Sequence, residues 1–267
     1  MIQFVIVNYN NVNSTIDFIE SYLKLVNGSN SKLIIVDNSE NKEDCLRLES
    51  KYNQNNITFI YPTENLGYLR AGGYALEHMA ENNIEYDYFI LCNNDIVFDD
   101  KRFILELESV KSECLLISPR LNNNGVSINP YLTERPSKYK MLFWTCILSN
   151  YMLAKSFFFI HSVISKTKTK TKEEFPKESD FYATHGSMFI LSKKFFELGG
   201  VLSDLPFLYG EEMYIAEQIM AIGGRNCYVP GLKVSHEGSA TLGSQHTKFK
   251  HNCLKEAHSF LCKRYFS

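Results

Sequence analysis

The chain has no Cys-x-x-Cys pair. Its seven cysteines (Cys45, Cys92, Cys114, Cys146, Cys227, Cys253 and Cys262) are scattered and odd in number. That usage predicts neither a disulfide framework nor a zinc site, and it fits a reducing compartment. Surplus positive charge is also missing. With a formal net charge of −2, nothing prepares the surface for a phosphate backbone, and no nucleic-acid partner is expected. No basic leader or small-residue cleavage site precedes the first apolar stretch, so a cytoplasmic protein is expected. Internal repeats are absent, and low complexity is confined to the Lys-Thr run at 166–172.

What is present is ordinary globular material. At 267 residues, 45% hydrophobic and 22% charged, the chain can bury one large α/β core. Short apolar runs at 4–7, 33–36, 57–60 and 88–91 alternate with helical stretches. One of these helices starts with Ser14 as its expected N-cap and carries Ile16, Ile19, Leu23 and Val26 on one face. This alternation predicts a Rossmann-like, mostly parallel central sheet with helices on both faces. Further strands are expected at 181–191 and at about 226–229, with a helix running from Gly210 to Gly223. Gly125 to Pro130 marks a boundary between halves 1–125 and 126–267 of one domain.

Each early strand ends in a polar cluster: Asn8-Tyr9-Asn10, Asp37-Asn38-Ser39, Asn65-Leu66-Gly67 and Asn93-Asn94-Asp95. Open parallel sheets bind ligands in the crevice at those strand ends. Asn93-Asn94-Asp95 offers oxygen ligands to Mg2+ or Mn2+ and a partner for a ribose, although the same tripeptide is good turn chemistry. Asp37 can accept from a pyrimidine N–H or a ribose hydroxyl, or simply close an Asx-turn. Asn65-Leu66-Gly67 precedes a helix whose free N–H groups favour phosphate; a cap with a glycine at positive φ is the other reading. Glu211 and Glu212 open a helix, where acids also suit the dipole, and one of them can serve as a general base. His236, ending a late strand, can be a third metal ligand or an ordinary buried histidine.

Residues 141–165 form the most apolar segment, interrupted by Ser149-Asn150, Lys155 and His161 and followed by Lys166, Lys168, Lys170 and Lys172. A lysine near the centre of a bilayer span costs about 2.5–3.5 kcal/mol. The segment 141–172 therefore suits a peripheral contact with an anionic membrane surface, or a buried helical pair beneath a solvated loop.

In order, Val7-Asn8-Tyr9-Asn10, Val36-Asp37-Asn38-Ser39, Glu64-Asn65-Leu66-Gly67-Tyr68, Asn93-Asn94-Asp95, Gly186-Ser187-Met188, Gly210-Glu211-Glu212 and His236 resemble the family 2 glycosyltransferases of GT-A fold. The likeness spans the chain except about 129–177. It implies an inverting transferase that takes a sugar from a nucleotide-sugar donor, either a UDP-hexose or a dTDP-deoxysugar such as rhamnose. The implied acceptor is a saccharide or lipid-linked saccharide of surface polysaccharide synthesis, met in the cytoplasm or at the cytoplasmic face of the membrane. Tyr9, Asn10, Asp37 and Asn38 then match the base-binding positions, and Asn65 and Gly67 the loop over the nucleotide. Asn93, Asn94 and Asp95 stand at the family's DxD place, Asp95 binding the metal with Asn93 and His236. Glu212 stands where the family carries its aspartate base, with Glu211 beside it. Three departures accompany the likeness: Glu for Asp at 212, Asn for the first acid at 93, and Gly72-Gly73 where relatives carry asparagines, with Arg70 able to contact phosphate instead. Two other readings are a nucleotidyltransferase, against which stands the lack of a Gly-rich basic loop after the first strand, and a non-catalytic nucleotide-sugar-binding module.

Overall fold

The first strand shows why this sequence makes a covered sheet. In Ile2–Asn8 every residue except Val7 is buried, which requires packing on both faces and is the mark of a parallel sheet. The computed structural model describes residues 1–26, 29–52, 56–110, 113–123, 125–167, 181–236 and 247–267. Its elements are β1 (Ile2–Asn8), α1 (Val12–Leu25), β2 (Ser31–Asp37), α2 (Glu43–Tyr52), β3 (Ile57–Ile60), α3 (Tyr68–Glu81), β4 (Tyr88–Asn93), β5 (Ile96–Phe98), α4 (Phe103–Glu108), β6 (Cys114–Asn123), β7 (Val126–Ser127), α5 (Lys138–Leu148), α6 (Tyr151–Thr167), β8 (Met188–Ser192), α7 (Lys193–Glu197), α8 (Glu211–Ala221), β9 (Arg225–His236) and α9 (Lys248–Tyr265).

The strands form one sheet in the order β3-β2-β1-β4-β8-β6-β9-β5, with β7 beside β6. Strands β3, β2, β1 and β4 are parallel. β8 runs antiparallel between β4 and β6, β9 runs parallel to β6, and β5 returns antiparallel on β9. Alternate strand residues feed two apolar layers, as the period of two demands. Phe4, Ile6 and Ile35 pack with Phe18, Cys45 and Ile104 from α1, α2 and α4. Val5, Val36 and Phe89 pack with Leu69, Phe195 and Tyr214 from α3, α7 and α8. This is the expected α/β architecture, a Rossmann-like central sheet with helices on both faces, to which the pairings of β8, β5 and β7 add antiparallel ladders. The parallel half brings the C-terminal ends of β1, β2 and β4 to one edge.

Several local expectations change. The cap of α1 is Asn11, whose side chain accepts from the Ser14 N–H at 3.4 Å, so Ser14 lies within the first turn. Residues 181–187 are not strand; β8 begins at Met188, and Ala183 makes only an isolated bridge to Leu132. β9 continues through Pro230-Gly231 to His236 rather than ending at 229. The expectation of unpaired cysteines is also corrected. β6 and β9 lie in parallel register from their first residues, and Cys114 and Cys227 are disulfide-bonded across them with Cα atoms 5.8 Å apart. The two are 113 residues apart in sequence, so spacing could not reveal the pair.

Helices α5 and α6 form the insertion. No single described helix is long and apolar enough to cross a membrane, and α5 and the first part of α6 meet at 113°. Trp144, Phe157 and Phe158 pack with Leu148 and Leu254 beneath the bend. Lys168, Lys170 and Lys172 of the expected basic flank lie outside the described residues.

Candidate active site

The strand-end clusters hold one another before they hold anything else. Asn8, at the end of β1, donates from Nδ2 to Asp37 Oδ1 at 2.8 Å and accepts from Thr15 Oγ1 at 2.9 Å. Asp37 has no exposed surface. Its Oδ1 also accepts from the Ser39 N–H at 3.1 Å and the Ser39 hydroxyl at 2.6 Å, while its Oδ2 is buried without a hydrogen-bond partner. Ser39 Oγ in turn accepts from the Asn10 N–H at 2.8 Å, which holds Asn10 at φ 50°, a left-handed conformation that asparagine tolerates. Asp37 thus braces the loops after β1 and β2 from behind.

In front of them lies a cavity of about 390 Å³, whose lining includes Tyr9, Asn38, Asn65, Gly67, Asn93, Asn94 and Asp95. Asn38 is buried and donates to the Gly67 carbonyl at 2.8 Å, and Asn65 Oδ1 accepts from the Gly67 N–H at 2.9 Å. Gly67 itself sits at φ +75°, and a Cβ there would stand 2.0 Å from the Phe207 carbonyl oxygen. Asn94 donates to Thr15 Oγ1 at 3.0 Å and to the Asn11 carbonyl at 3.3 Å. Arg70, on the first turn of α3, does not line the cavity; it lies 4.0 Å from Glu64 at the surface.

Asp95 and His236 meet although 141 positions separate them. β5 pairs with β9 so that Ile96 faces His236, which puts the histidine beside the residue before Ile96. His236 Nε2 and Asp95 Oδ1 are 3.1 Å apart. Both atoms are buried and neither has a hydrogen-bond partner. Two buried, unpartnered atoms converging without donating to each other are the donor set that a divalent cation satisfies. A second histidine joins them. The His185 ring centroid lies 6.0 Å from that of His236, and burial is the main cause that pushes the His185 pKa down to about 4, leaving it neutral. Sequence reasoning singled out Gly186-Ser187-Met188 and missed the histidine just before. No three His, Cys, Asp or Glu side chains among the described residues are placed to hold a metal ion together, so any cation between Asp95 and His236 would draw further ligands from elsewhere.

A second cavity, also about 390 Å³, lies between α5, α6, α8 and α9 and is lined in part by Tyr131, Trp144, Tyr209, Gly210, Glu212 and His258. Glu212 Oε1 accepts from the Gly186 N–H at 3.2 Å, and Glu211 Oε1 accepts from the Tyr209 N–H at 2.9 Å. Burial raises the pKa of both carboxyls, and the Glu212 charge raises Glu211 further. The segment 207–210 separates the two cavities: Phe207 and Leu208 line the first, Tyr209 and Gly210 the second. Tyr68 lines the first cavity. Its phenol is pushed well above its usual value mainly by burial, then by Cys92, Glu211, Asp95 and Glu212, so it lies within reach of the charges of both sites.

The family profile described as Glycosyl transferase family 2 matches residues 3–196. The chain belongs to that family. No curated protein matches the sequence. Among solved structures, the chain resembles GalNAc-T7 with UDP, GalNAc and Mn2+ (17% identity, TM-score 0.63, covering 93% of this chain and 45% of that one). It also resembles S. aureus TarS 1–349 in complex with UDP-GlcNAc (11%, 0.58, 92% and 60%). A third is the mannosyltransferase PcManGT from Pyrobaculum calidifontis in complex with GDP-Man and Mn2+ (12%, 0.54, 90% and 58%). These likenesses carry the GT-A fold, and the chain spans about half the length of the structures it matches.

Proposed function

We propose that this glycosyltransferase binds a nucleotide sugar in the first cavity and inverts its anomeric carbon by attack of an acceptor held in the second. The observation that carries this reading is the shared wall: residues 207–210 face both cavities, with Asp95 on one side and Glu212 on the other. Tyr9, Asn38, Asn65 and Gly67 hold the nucleotide, while Asp37 and Asn10 keep the two loops in place. Asp95 and His236, with Asn93 nearby, hold Mg2+ or Mn2+, whose chemistry is to neutralise charge developing on the departing diphosphate. Glu212 takes the acceptor hydroxyl's proton, and burial makes it a stronger base than an exposed carboxylate. Glu211 keeps the Tyr209 backbone in position beside it.

The donor is a UDP-hexose or dTDP-deoxysugar such as rhamnose, and the acceptor is a saccharide or lipid-linked saccharide of the cell envelope. The α5–α6 hairpin, with Leu142 and Phe159 exposed, rests on the cytoplasmic membrane surface, which keeps the enzyme at a membrane face. A donor panel with Mn2+, read by nucleotide release, tests the reading. Glu212→Gln should abolish transfer and retain donor binding, and Asp95→Asn should abolish metal-dependent donor binding. Full activity in both variants overturns the assignment.

A further inference from the structure

We propose that the second cavity is a binding site for a hydrocarbon chain, so that the acceptor is an amphiphile: a hydroxyl-bearing headgroup joined through an anionic link to a lipid. This rests on the transferase reading and narrows its acceptor.

The walls carry the argument. Met141, Trp144 and Leu148 of α5 face inward with Phe158 of α6 and Leu254 and Leu261 of α9. A bare saccharide presents hydroxyls on every edge, and each one desolvated without a partner costs more than a buried methylene gains. The described lining has too few polar groups to meet them. Its two charged side chains are Glu212, which we assign as the base, and the exposed Lys140, a cation suited to a phosphate ester between chain and headgroup. His258 also lines the cavity but bonds Thr145 Oγ1 at 2.9 Å and the Met141 carbonyl at 3.1 Å, so it serves the hairpin's own packing.

The outer face of the same helices points to where the chain comes from. α5 carries apolar side chains on both faces: Met141 and Leu148 are buried, yet Leu142 is 60% and Phe143 49% exposed. On α6, Met152 is 63% and Phe159 69% exposed. Apolar side chains on both faces of a surface helix serve two apolar environments. Lys138 and Lys155 stand among them, so the face matches an anionic bilayer. An acceptor anchored there reaches Glu212 by passing its chain along the inner face of the helix whose outer face meets the lipid.

Trp144 is the single tryptophan of the chain and lines the cavity, so its fluorescence reports occupancy. Alkyl phosphates of four to twelve carbons, below their micelle-forming concentrations, are titrated into the full chain. The expected result is a saturable blue shift whose affinity tightens about tenfold for every two methylenes, with dodecyltrimethylammonium at least tenfold weaker than dodecyl phosphate. Ala257→Trp/Trp144→Phe fills the cavity while keeping one reporter and should weaken binding at least tenfold; should it not fold, Phe158→Ala, which removes a wall, should weaken it severalfold. Affinity independent of chain length, equal binding of the cationic amphiphile, or a dimer whose Trp144 does not respond to dodecyl phosphate overturns the proposal. Nucleotide release to water from the donor panel needs no acceptor, so the transferase reading and the chain site fail independently.

Discussion

Replacing Gly186 by alanine should lower kcat while leaving donor binding intact. Gly186 is not at positive φ, so alanine meets no backbone penalty there, and its effect comes from the space its Cβ occupies. That Cβ would stand 2.7 Å from Glu212 Oε1 and 3.2 Å from Glu212 Cδ. Ordinary contact begins at 3.4 Å, so the carboxylate must withdraw by about 0.7 Å and lengthen its bond from the Gly186 N–H. A catalytic group misplaced by about 1 Å loses about 100-fold in rate. The expected loss is therefore roughly 10- to 100-fold in kcat, or about 1.4–2.7 kcal/mol of barrier. The assay is nucleotide release at saturating donor and acceptor, with the donor Kd from calorimetry and Tm as the check on folding. Gly73→Ala is the control, since its Cβ meets nothing closer than 3.7 Å and should leave kcat within twofold. A Gly186→Ala enzyme at wild-type kcat refutes the assignment of Glu212 as base; a raised donor Kd at unchanged kcat would instead move Gly186 into the nucleotide site.

Four further outcomes follow from the same geometry. Burial raises the Glu212 pKa and the base must be unprotonated, so kcat/KM should fall with unit slope as pH drops through a value above the ordinary glutamate pKa of about 4.3; a profile flat to pH 4.5 contradicts this. Glu211→Gln keeps an oxygen for the Tyr209 N–H and should retain activity within tenfold, whereas Glu212→Gln should lose about 100-fold or more; matched losses would merge the two roles. Gly67→Ala combines a backbone conformation that is essentially glycine's alone (φ 75°, ψ −168°), costing about 1–3 kcal/mol, with a Cβ 2.0 Å from the Phe207 oxygen, and should weaken nucleotide binding at least tenfold by calorimetry. Arg135 binds Glu217 through two hydrogen bonds of 2.7 and 3.0 Å, and the Glu217 side chain is only 6% exposed. Arg135→Ala therefore leaves a buried carboxylate that keeps the Tyr182 hydroxyl at 2.7 Å but loses its balancing charge, and thermal melting should show a Tm lower by roughly 6–20 °C.

The parallel half of the sheet was legible because its strands are short apolar runs with turn chemistry at their ends, and β3 coincides with the expected 57–60. β6 was not, because Pro119 sits inside it and proline normally argues against an interior strand. β9 was read short for the same reason at Pro230 and Gly231. α9 went unseen: its sequence is mostly polar, with His251, Cys253, Ala257 and Leu261 as its buried anchors, and tertiary packing rather than periodicity makes it a helix. In the candidate site, the loops just past strand ends carry a local signal, as do Glu212 at a helix start and His236 at a strand end, whereas some side chains brought in by tertiary contact do not. Phe207 and Phe249, which stand 6.3 Å apart over the first cavity, carry no local signal. Arg70 and Asp37 show the converse, with plausible motif positions that lie outside the cavity lining.

The pairing of Ile96 with His236 also sets an order of assembly. β5 has its described partner strand in β9, which is made about 140 residues later. At ribosomal speeds of about 5–20 residues per second, β5 waits roughly 7–28 s for that partner. A slip of one residue in the ladder would turn His236 to the opposite face and part it from Asp95. The proposed cation site therefore forms only once the sheet has closed in register, and donor binding doubles as a report that β9 has been made and has paired with β5.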